Sequence, residues 1–252
     1  MLEETIANLK LLKLIGLSNT LSERLDELNE NKSSILEALN KLTKYEIEYK
    51  KQVSAKSNVH VSHFPFLKEI SDFDFDFQPS INKQQILDLH NLRFIEEHKN
   101  ILFLGNSGVG KTHLATSIGI AAAKEHYSVY FISCHDLINN LLDAFKENRV
   151  EQRIKHYNKY KVLIIDEIGY LPIDKNGANL LFQLIAKRYE KKSTIITTNQ
   201  SFSKWPELFG DPLVANAMLD RLVHHSVIIN IKGESYRMKD FKETLKKDKM
   251  VS

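Results

Sequence analysis

The chain has 252 residues, 42% of them apolar and 27% charged, with a formal charge of +3. That is enough apolar sequence to bury a sizeable core, as one large domain or as a small domain joined to a larger one. The single cysteine, Cys134, excludes an intramolecular disulfide, and no apolar run approaches the roughly 18–20 residues of a membrane span or forms a secretory signal, so a soluble, cytoplasmic protein is expected.

Lys/Arg against Asp/Glu number 9 against 9 over residues 1–63, 19 against 19 over 64–231 and 7 against 4 over 232–252, so the whole excess lies in the last segment. A mildly basic tail is compatible with nucleic acid but is more often a solvated, frayed chain end.

Residues 1–57 lack proline, contain one glycine, and place Ile6, Leu9, Leu12 and Leu14, then Leu17, Leu21, Leu25 and Leu28, at near-helical spacing. Three helices are predicted, with breaks near Gly16-Leu17-Ser18 and Asn29-Glu30-Asn31, and with Ser33 or Ser34 capping a third helix that carries Ile35, Leu39, Leu42 and Ile47. Such a set forms a small bundle or a partner-docking module. On the third helix Lys41, Lys44, Lys50, Lys51 and Lys56 cluster with Tyr45 and Tyr49, a pattern that suits a phosphate backbone, while the interspersed Glu46 and Glu48 suit a solvated face.

Between Gln52 and Pro65 the periodicity stops and Ser54-Ala55-Lys56-Ser57-Asn58, then Val59-His60-Val61-Ser62-His63, read as a linker. The expected organisation is a helical domain over 1–57, a linker over 58–70, a nucleotide-binding domain over 71–231 and a short basic tail over 232–252. Asp72-Phe73-Asp74-Phe75-Asp76-Phe77 alternates strictly, so an extended backbone would separate acids from aromatics. The Phe row is read as core cover, with adenine-pocket lining or a subunit contact as alternatives. Pro79-Ser80 leads into a helix over 82–97.

From residue 101 the predicted order is strand 101–104, glycine-rich loop, helix from His113, strand 128–132, helices 135–147 and 149–159, strand 162–165, helix 177–191, strand 194–198, a Trp205-Pro206 turn, helix 213–223 and strand 227–230. Short, wholly apolar, β-branched runs separated by helices indicate a parallel sheet covered on both faces. The expected fold class is α/β, a three-layer αβα domain.

The loop Gly105-Asn106-Ser107-Gly108-Val109-Gly110-Lys111-Thr112 fits G-x-x-x-x-G-K-[ST], between a strand and a helix as a P-loop requires. Its glycines let the backbone N–H groups approach phosphate oxygens; Lys111 supplies a point charge and Thr112 a hydroxyl for Mg²⁺. Asp166-Glu167 follows the apolar strand at 162–165, with Asp166 placed to support the metal and Glu167 to act as base toward the attacking water. Asn199 closes Thr197-Thr198-Asn199 and is the candidate for orienting that water; a turn-forming Asn is the alternative.

Charge on the γ-phosphoryl group calls for a cation, and Arg221 and Arg237 are the candidates. Arg221, near the end of the helix before the last strand, is placed to reach a neighbouring subunit's nucleotide, unless it only pairs with Asp220 or another acid. His60/His63 and His224/His225 lack companion Cys or carboxylate spacing for a metal, and Cys134 is read as core. The basic run Lys146, Arg149, Arg153, Lys155, His156, Lys159 and Lys161, interleaved with Tyr157 and Tyr160, is the nucleic-acid candidate of the larger domain, with helix solubility as the alternative.

Gly105–Thr112 with His113-Leu114-Ala115, Ile165-Asp166-Glu167, Thr197-Thr198-Asn199, Met218-Leu219-Asp220-Arg221-Leu222 and Glu234-Ser235-Tyr236-Arg237 together resemble the AAA+ ATPases of the DnaA/DnaC initiator clade, and within it the IstB helper ATPases of insertion sequences. The opening Leu9-Lys10-Leu11-Leu12-Lys13-Leu14 with Gly16-Leu17, and the Phe73-to-Pro79 lead-in, resemble IstB as well, so the likeness spans nearly the whole chain. Asn106-Ser107 departs from the Pro often found before the second glycine.

The resemblance implies a P-loop ATPase using ATP and Mg²⁺ that oligomerises on double-stranded DNA, deforms it, and recruits and stimulates its partner transposase. It implies His113 beside the nucleotide, Arg221 as an arginine finger acting in trans, and Arg237 as a nucleotide sensor on a short tail, since 23 residues after Ile229 are too few for a multi-helix lid. The helices over 135–159 would correspond to the clade's initiator-specific insertion, which favours DNA contact by their basic residues. A DnaC/DnaI-like replicative helicase loader shares the core and is the nearest rival. A P-loop kinase fits less well, because Asp166-Glu167 and Asn199 suit water attack and no segment reads as an acceptor lid.

Overall fold

The computed structural model describes residues 1–239, and these divide into two compact units between Ser57 and Asn58. Residues 240–252 of the basic tail lie outside the described residues. Among those described, no helix is long and apolar enough to cross a membrane.

The first unit is built from α1 (Leu2–Leu11), α2 (Ile15–Glu30) and all but the last turn of α3, which runs Ile35–Val61. The first break falls at residues 12–14, earlier than Gly16: Lys13 is left-handed at φ 57, and the Leu14 N–H returns to the Leu9 carbonyl at 2.8 Å. Gly16 instead lies in the first turn of α2, where a Cβ would stand 2.6 Å from the Tyr49 ring, so it serves close approach of α3. Leu14 offers α2 no side-chain cap; buried Glu46 of α3 supplies one across the interface, its Oε2 accepting from the Leu17 N–H at 2.7 Å. The second break is where expected. Ser34 and Glu37 close it as a capping box, the Ser34 N–H reaching Glu37 Oε2 at 2.8 Å and the Glu37 N–H reaching Ser34 Oγ at 3.3 Å.

The stretch 52–61, expected to be linker, is helical. It loses the apolar stripe but contains neither Pro nor Gly, and absence of a buried face does not break a helix. Helix α3 ends at Ser62-His63, with His63 left-handed at φ 60.

The second unit holds β1 (Asn100–Gly105), β2 (Val129–Ser133), β3 (Val162–Ile168), β4 (Ser193–Thr198) and β5 (Ser226–Ile231), all parallel in the order β2-β3-β4-β1-β5. The short α4 (Lys83–Leu89) and α5 (Arg93–Glu96) precede the sheet, and α6 (Lys111–Lys124), α7 (Cys134–Lys146), α8 (Val150–Asn158), α9 (Lys175–Arg188), α10 (Trp205–Leu208) and α11 (Pro212–His224) connect its strands. One face is sealed by Leu137, Leu141, Leu181 and Met218, the other by Ile86, Phe94, Leu114 and Ile118, which gives the three-layer αβα arrangement. On the outer edge, the Phe131 N–H of β2 donates to Ser62 O at 2.9 Å, so the chain after α3 covers part of the exposed strand.

Two local expectations are corrected. The helix expected over 82–97 breaks at Leu92, which is left-handed at φ 61. The alternating Asp72–Phe77 stretch is not extended: a 3-10 turn over Ile70–Asp72 precedes a turn in which the Phe77 N–H donates to Asp74 Oδ1 at 3.0 Å. Aspartate competes for backbone N–H groups and favours turns, which outweighs the strand-like alternation.

Because β4 pairs with both β1 and β3, the carboxyl ends of these strands lie side by side. The sheet order reverses there, as at a topological switch point where α/β domains bind ligands.

A buried cation braces the opposite, amino-terminal end of β3 and β4. Arg188 is 1% exposed and donates to Thr194 Oγ1 (3.0 Å) and to the carbonyls of Tyr157 (3.2 Å), Tyr160 (3.1 Å) and Ser193 (2.6 Å), tying α9 to β4 and to the end of α8. Burial pushes its pKa down to about 9, which leaves it cationic at neutral pH. Arg188→Leu would strand these carbonyls without donors and is expected to cost about 3–5 kcal/mol in denaturant unfolding. A loss below about 1 kcal/mol would contradict the brace.

Candidate functional site

The loop between β1 and α6 turns on Gly108 (φ 81) and Gly110 (φ 99), left-handed positions that glycine adopts without strain. A Cβ at Gly110 would also meet the Phe73 ring at 2.5 Å. Lys111 opens α6, and its Nζ donates to the carbonyls of Gly105 and Asn106, each at 2.7 Å. Burial lowers the Lys111 pKa, while the carboxylates of Asp166 and Glu167 oppose that shift. Such a cation, backed by carbonyls at the start of a helix, fits an anionic phosphate group.

Thr112 Oγ1 lies 3.0 Å from Asp166 Oδ1. Asp166 is buried, and burial raises its pKa against the lowering effect of hydrogen bonds from Thr197 and Thr112. Two hard oxygen donors so close together are the ligand chemistry that Mg²⁺ prefers.

The β3–β4 register shifts between Ile165 and Ile168, and Glu167 is left-handed at φ 62. At this irregularity Asp166 turns inward while Glu167 is exposed.

A cavity of about 270 Å³ is lined by Ser107, Gly108, Val109, Gly110, Lys111, Thr112, His113, Glu167, Asn199 and Arg237, which brings together most of the residues singled out in the sequence. Gly105 and Asn106 contribute the carbonyls that hold Lys111. Asp166 lines a neighbouring hollow that also reaches Thr112, Glu167 and Arg237. His113 turns toward the lead-in segment, its Nε2 2.9 Å from Glu69 O and its ring edge-on to Phe66 and Phe73.

Arg221 lies outside both hollows. It is half-buried on α11, its Nη1 donates to Ala217 O at 2.8 Å, and its guanidinium sits 4.9 Å from the centre of the Phe182 ring.

The P-loop also carries a collar that sequence reasoning missed. The Tyr236 N–H donates to Gly108 O at 2.9 Å, Gln78 Nε2 donates to Glu234 O at 2.8 Å, and Lys239 Nζ pairs with Asp74 Oδ2 at 3.1 Å. Phe77 stacks edge-on to Tyr236, 5.1 Å between centroids. These contacts hold the 3-10 turn Tyr236–Met238, and with it Arg237, beside the cavity. They join residues well over 100 positions apart, which no local spacing reveals.

The basic candidates do not form one free tract. Lys146 pairs with Asp143 at 3.0 Å, Lys155 with Glu151 at 3.0 Å, and Arg149 with Glu147. Arg153 is half-buried, whereas Lys159 is exposed with its ammonium 4.9 Å from the Tyr160 ring. Lys44 and Lys51 are exposed on α3.

The view that His224/His225 lack a carboxylate companion is corrected: Glu190 Oε1 lies 3.2 Å from His225 Nε2 and 3.7 Å from His224 Nδ1. The fold brings Glu190 from the turn after α9, and all three groups are exposed. Cys134 is buried as expected; burial pushes its thiol up to about 12, so it stays protonated at neutral pH.

The model of the IstB-like ATP binding protein family matches residues 7–244. A protein named for ATP binding in insertion sequence IS232 of Bacillus thuringiensis subsp. berliner is 58% identical over 238 residues, 94% of this chain and 95% of its own. Among solved structures, the DnaC helicase loader matches with a TM-score of 0.51 and 28% identity over 59% of this chain and 87% of its own. DnaA from Aquifex aeolicus, bound to AMPPCP, matches in fold with a TM-score of 0.54 and 20% identity over 73% of this chain and 56% of its own. The AAA+ fold of the initiator clade expected from the motifs is therefore borne out.

Proposed function

The chain belongs to the IstB-like ATP binding protein family, and on that premise we propose that it is a DNA-dependent ATPase that assembles on double-stranded DNA, remodels it, and recruits and stimulates the transposase of its own insertion sequence. The observation that carries the ATPase reading is the convergence of Lys111, Thr112, Glu167 and Asn199 on one cavity at the sheet's switch point. Lys111 and the loop N–H groups bind the phosphates, Glu167 takes the proton of the attacking water, and Asn199 orients that water. Thr112 and Asp166 would hold Mg²⁺, which supplies neutralisation of phosphate charge. Arg237 senses the nucleotide from within the collar.

Arg221 completes the site of a neighbouring subunit, a role supported by its place outside the cavity of its own chain. DNA contact falls to Lys146, Arg149, Arg153, Lys155 and Lys159, with Lys44 and Lys51 from the first unit. The ion pairs of Lys146, Arg149 and Lys155 are exposed and screened by solvent, so phosphate oxygens can replace their carboxylate partners.

A helicase-loading role is the second reading, favoured by the likeness to the DnaC loader. The relation at 58% identity over nearly the full length of an insertion-sequence protein favours the transposase as client. Steady-state phosphate release with and without double-stranded DNA tests the ATPase reading: turnover should rise on DNA, and a rate indifferent to DNA would overturn the DNA-dependent role. Capture of the cognate transposase rather than the replicative helicase by immobilised protein would separate the two clients.

A further inference from the structure

Strand β3 is irregular at its two acids, Asp166 and Glu167. The shift in register between Ile165 and Ile168 takes Asp166 and Glu167 out of the β3–β4 ladder, while Asp166 still pairs with Ser133 of β2, and Glu167 is held at φ 62. A non-glycine residue keeps that conformation only where its surroundings enforce it. One atom of β4 does so: Thr197 Oγ1 accepts from the Glu167 N–H at 2.9 Å and donates its proton to Asp166 Oδ1 at 2.5 Å. Thr197 is wholly buried, so no solvent competes for its hydroxyl. Thr198 fastens the far side of the irregularity, its Oγ1 donating to Ile168 O at 2.6 Å.

We propose that Thr197 is a positioning residue that sets Asp166 and Glu167 together, so that the group supporting the metal and the group addressing the water are aligned through a single hydroxyl. This rests on the reading of the cavity as an ATP-hydrolysing site. With Thr112 Oγ1 on the same carboxylate, the series Thr112, Asp166, Thr197, Glu167 runs unbroken from the start of the P-loop helix to the proposed base. Valine at 197 would keep the shape of threonine but neither accept from Glu167 nor donate to Asp166; serine would keep both bonds and lose a methyl group.

The test compares Thr197→Val and Thr197→Ser in the full chain by ATP turnover, thermal unfolding, and the Mg²⁺ dependence of binding a fluorescent non-hydrolysable ATP analogue. Thr197→Val should lower kcat about 10–100-fold with the KM for ATP near wild type, and should raise the Mg²⁺ concentration needed for half-maximal analogue binding. Thr197→Ser should retain turnover and Mg²⁺ response even if its unfolding temperature falls. Equal losses in the two variants, or wild-type behaviour of Thr197→Val, would reduce Thr197 to a space-filling role. Active wild type with active Thr197→Val removes this inference alone, whereas a wild type that hydrolyses no ATP removes the ATPase reading with it.

Discussion

Glu167→Gln is expected to bind ATP as the wild type does and to hydrolyse it roughly 10²–10⁴-fold more slowly, the contribution of a positioned general base. The side chain is exposed at the cavity, and its backbone N–H, the group fixed by Thr197 Oγ1, is unchanged by the substitution. An amide of the same size therefore occupies the same place but cannot take a proton from water. Fluorescent-nucleotide titration and phosphate release measured on the same sample separate binding from chemistry. Normal turnover would remove Glu167 from the base role, and lost binding would mean that the substitution had disturbed the loop.

Arg221→Ala carries the larger expected effect. Its oligomer-dependent turnover should fall by ~10³–10⁵, the range associated with arginine fingers, while isolated subunits keep their affinity for ATP. The residue does not line the cavity of its own subunit, so truncation cannot directly impair nucleotide binding there. Within its own chain Arg221 contributes a hydrogen bond to Ala217 O and a stack on Phe182, worth on the order of 1 kcal/mol, so the variant should remain folded. Turnover as a function of protein concentration gives the measure: wild type should gain specific activity on assembly, and Arg221→Ala should not.

What the sequence made legible was local. Runs such as Val162–Ile165 and Thr194–Thr198 are strands because β-branched side chains suit a sheet buried on both faces, and both lie within strands of the fold. The P-loop was legible because its glycines, lysine and threonine act within one turn of chain. Asp166, Glu167 and Asn199 could be nominated only as ends of strands; their convergence required the order of β3, β4 and β1, which sequence did not supply.

The rest depends on contacts between distant residues or on competition between local signals. Thr197 looked like an ordinary strand residue because its two partners exist only where β3 loses register. Glu46 looked like a solvated charge until the fold gave it a helix N-terminus, and the ring of carbonyls around Arg188 is assembled only by the fold. Loss of apolar periodicity over 52–61 marked loss of a buried face, not the end of α3. The Asp/Phe alternation gave way to turns closed by Asp72 and Asp74, which bring Phe73 against the P-loop.

In the proposed function each nucleotide site is completed by a neighbouring subunit. This completion is tested most directly by mixing Lys111→Ala, which keeps Arg221 but loses its phosphate contact, with Arg221→Ala, which keeps the nucleotide site but lacks the finger. With double-stranded DNA and ATP, each variant alone should be nearly inactive and the mixture should recover turnover, greatest near equal amounts. A mixture as inactive as its components at every ratio, in samples shown to form mixed oligomers, would contradict a site shared between subunits.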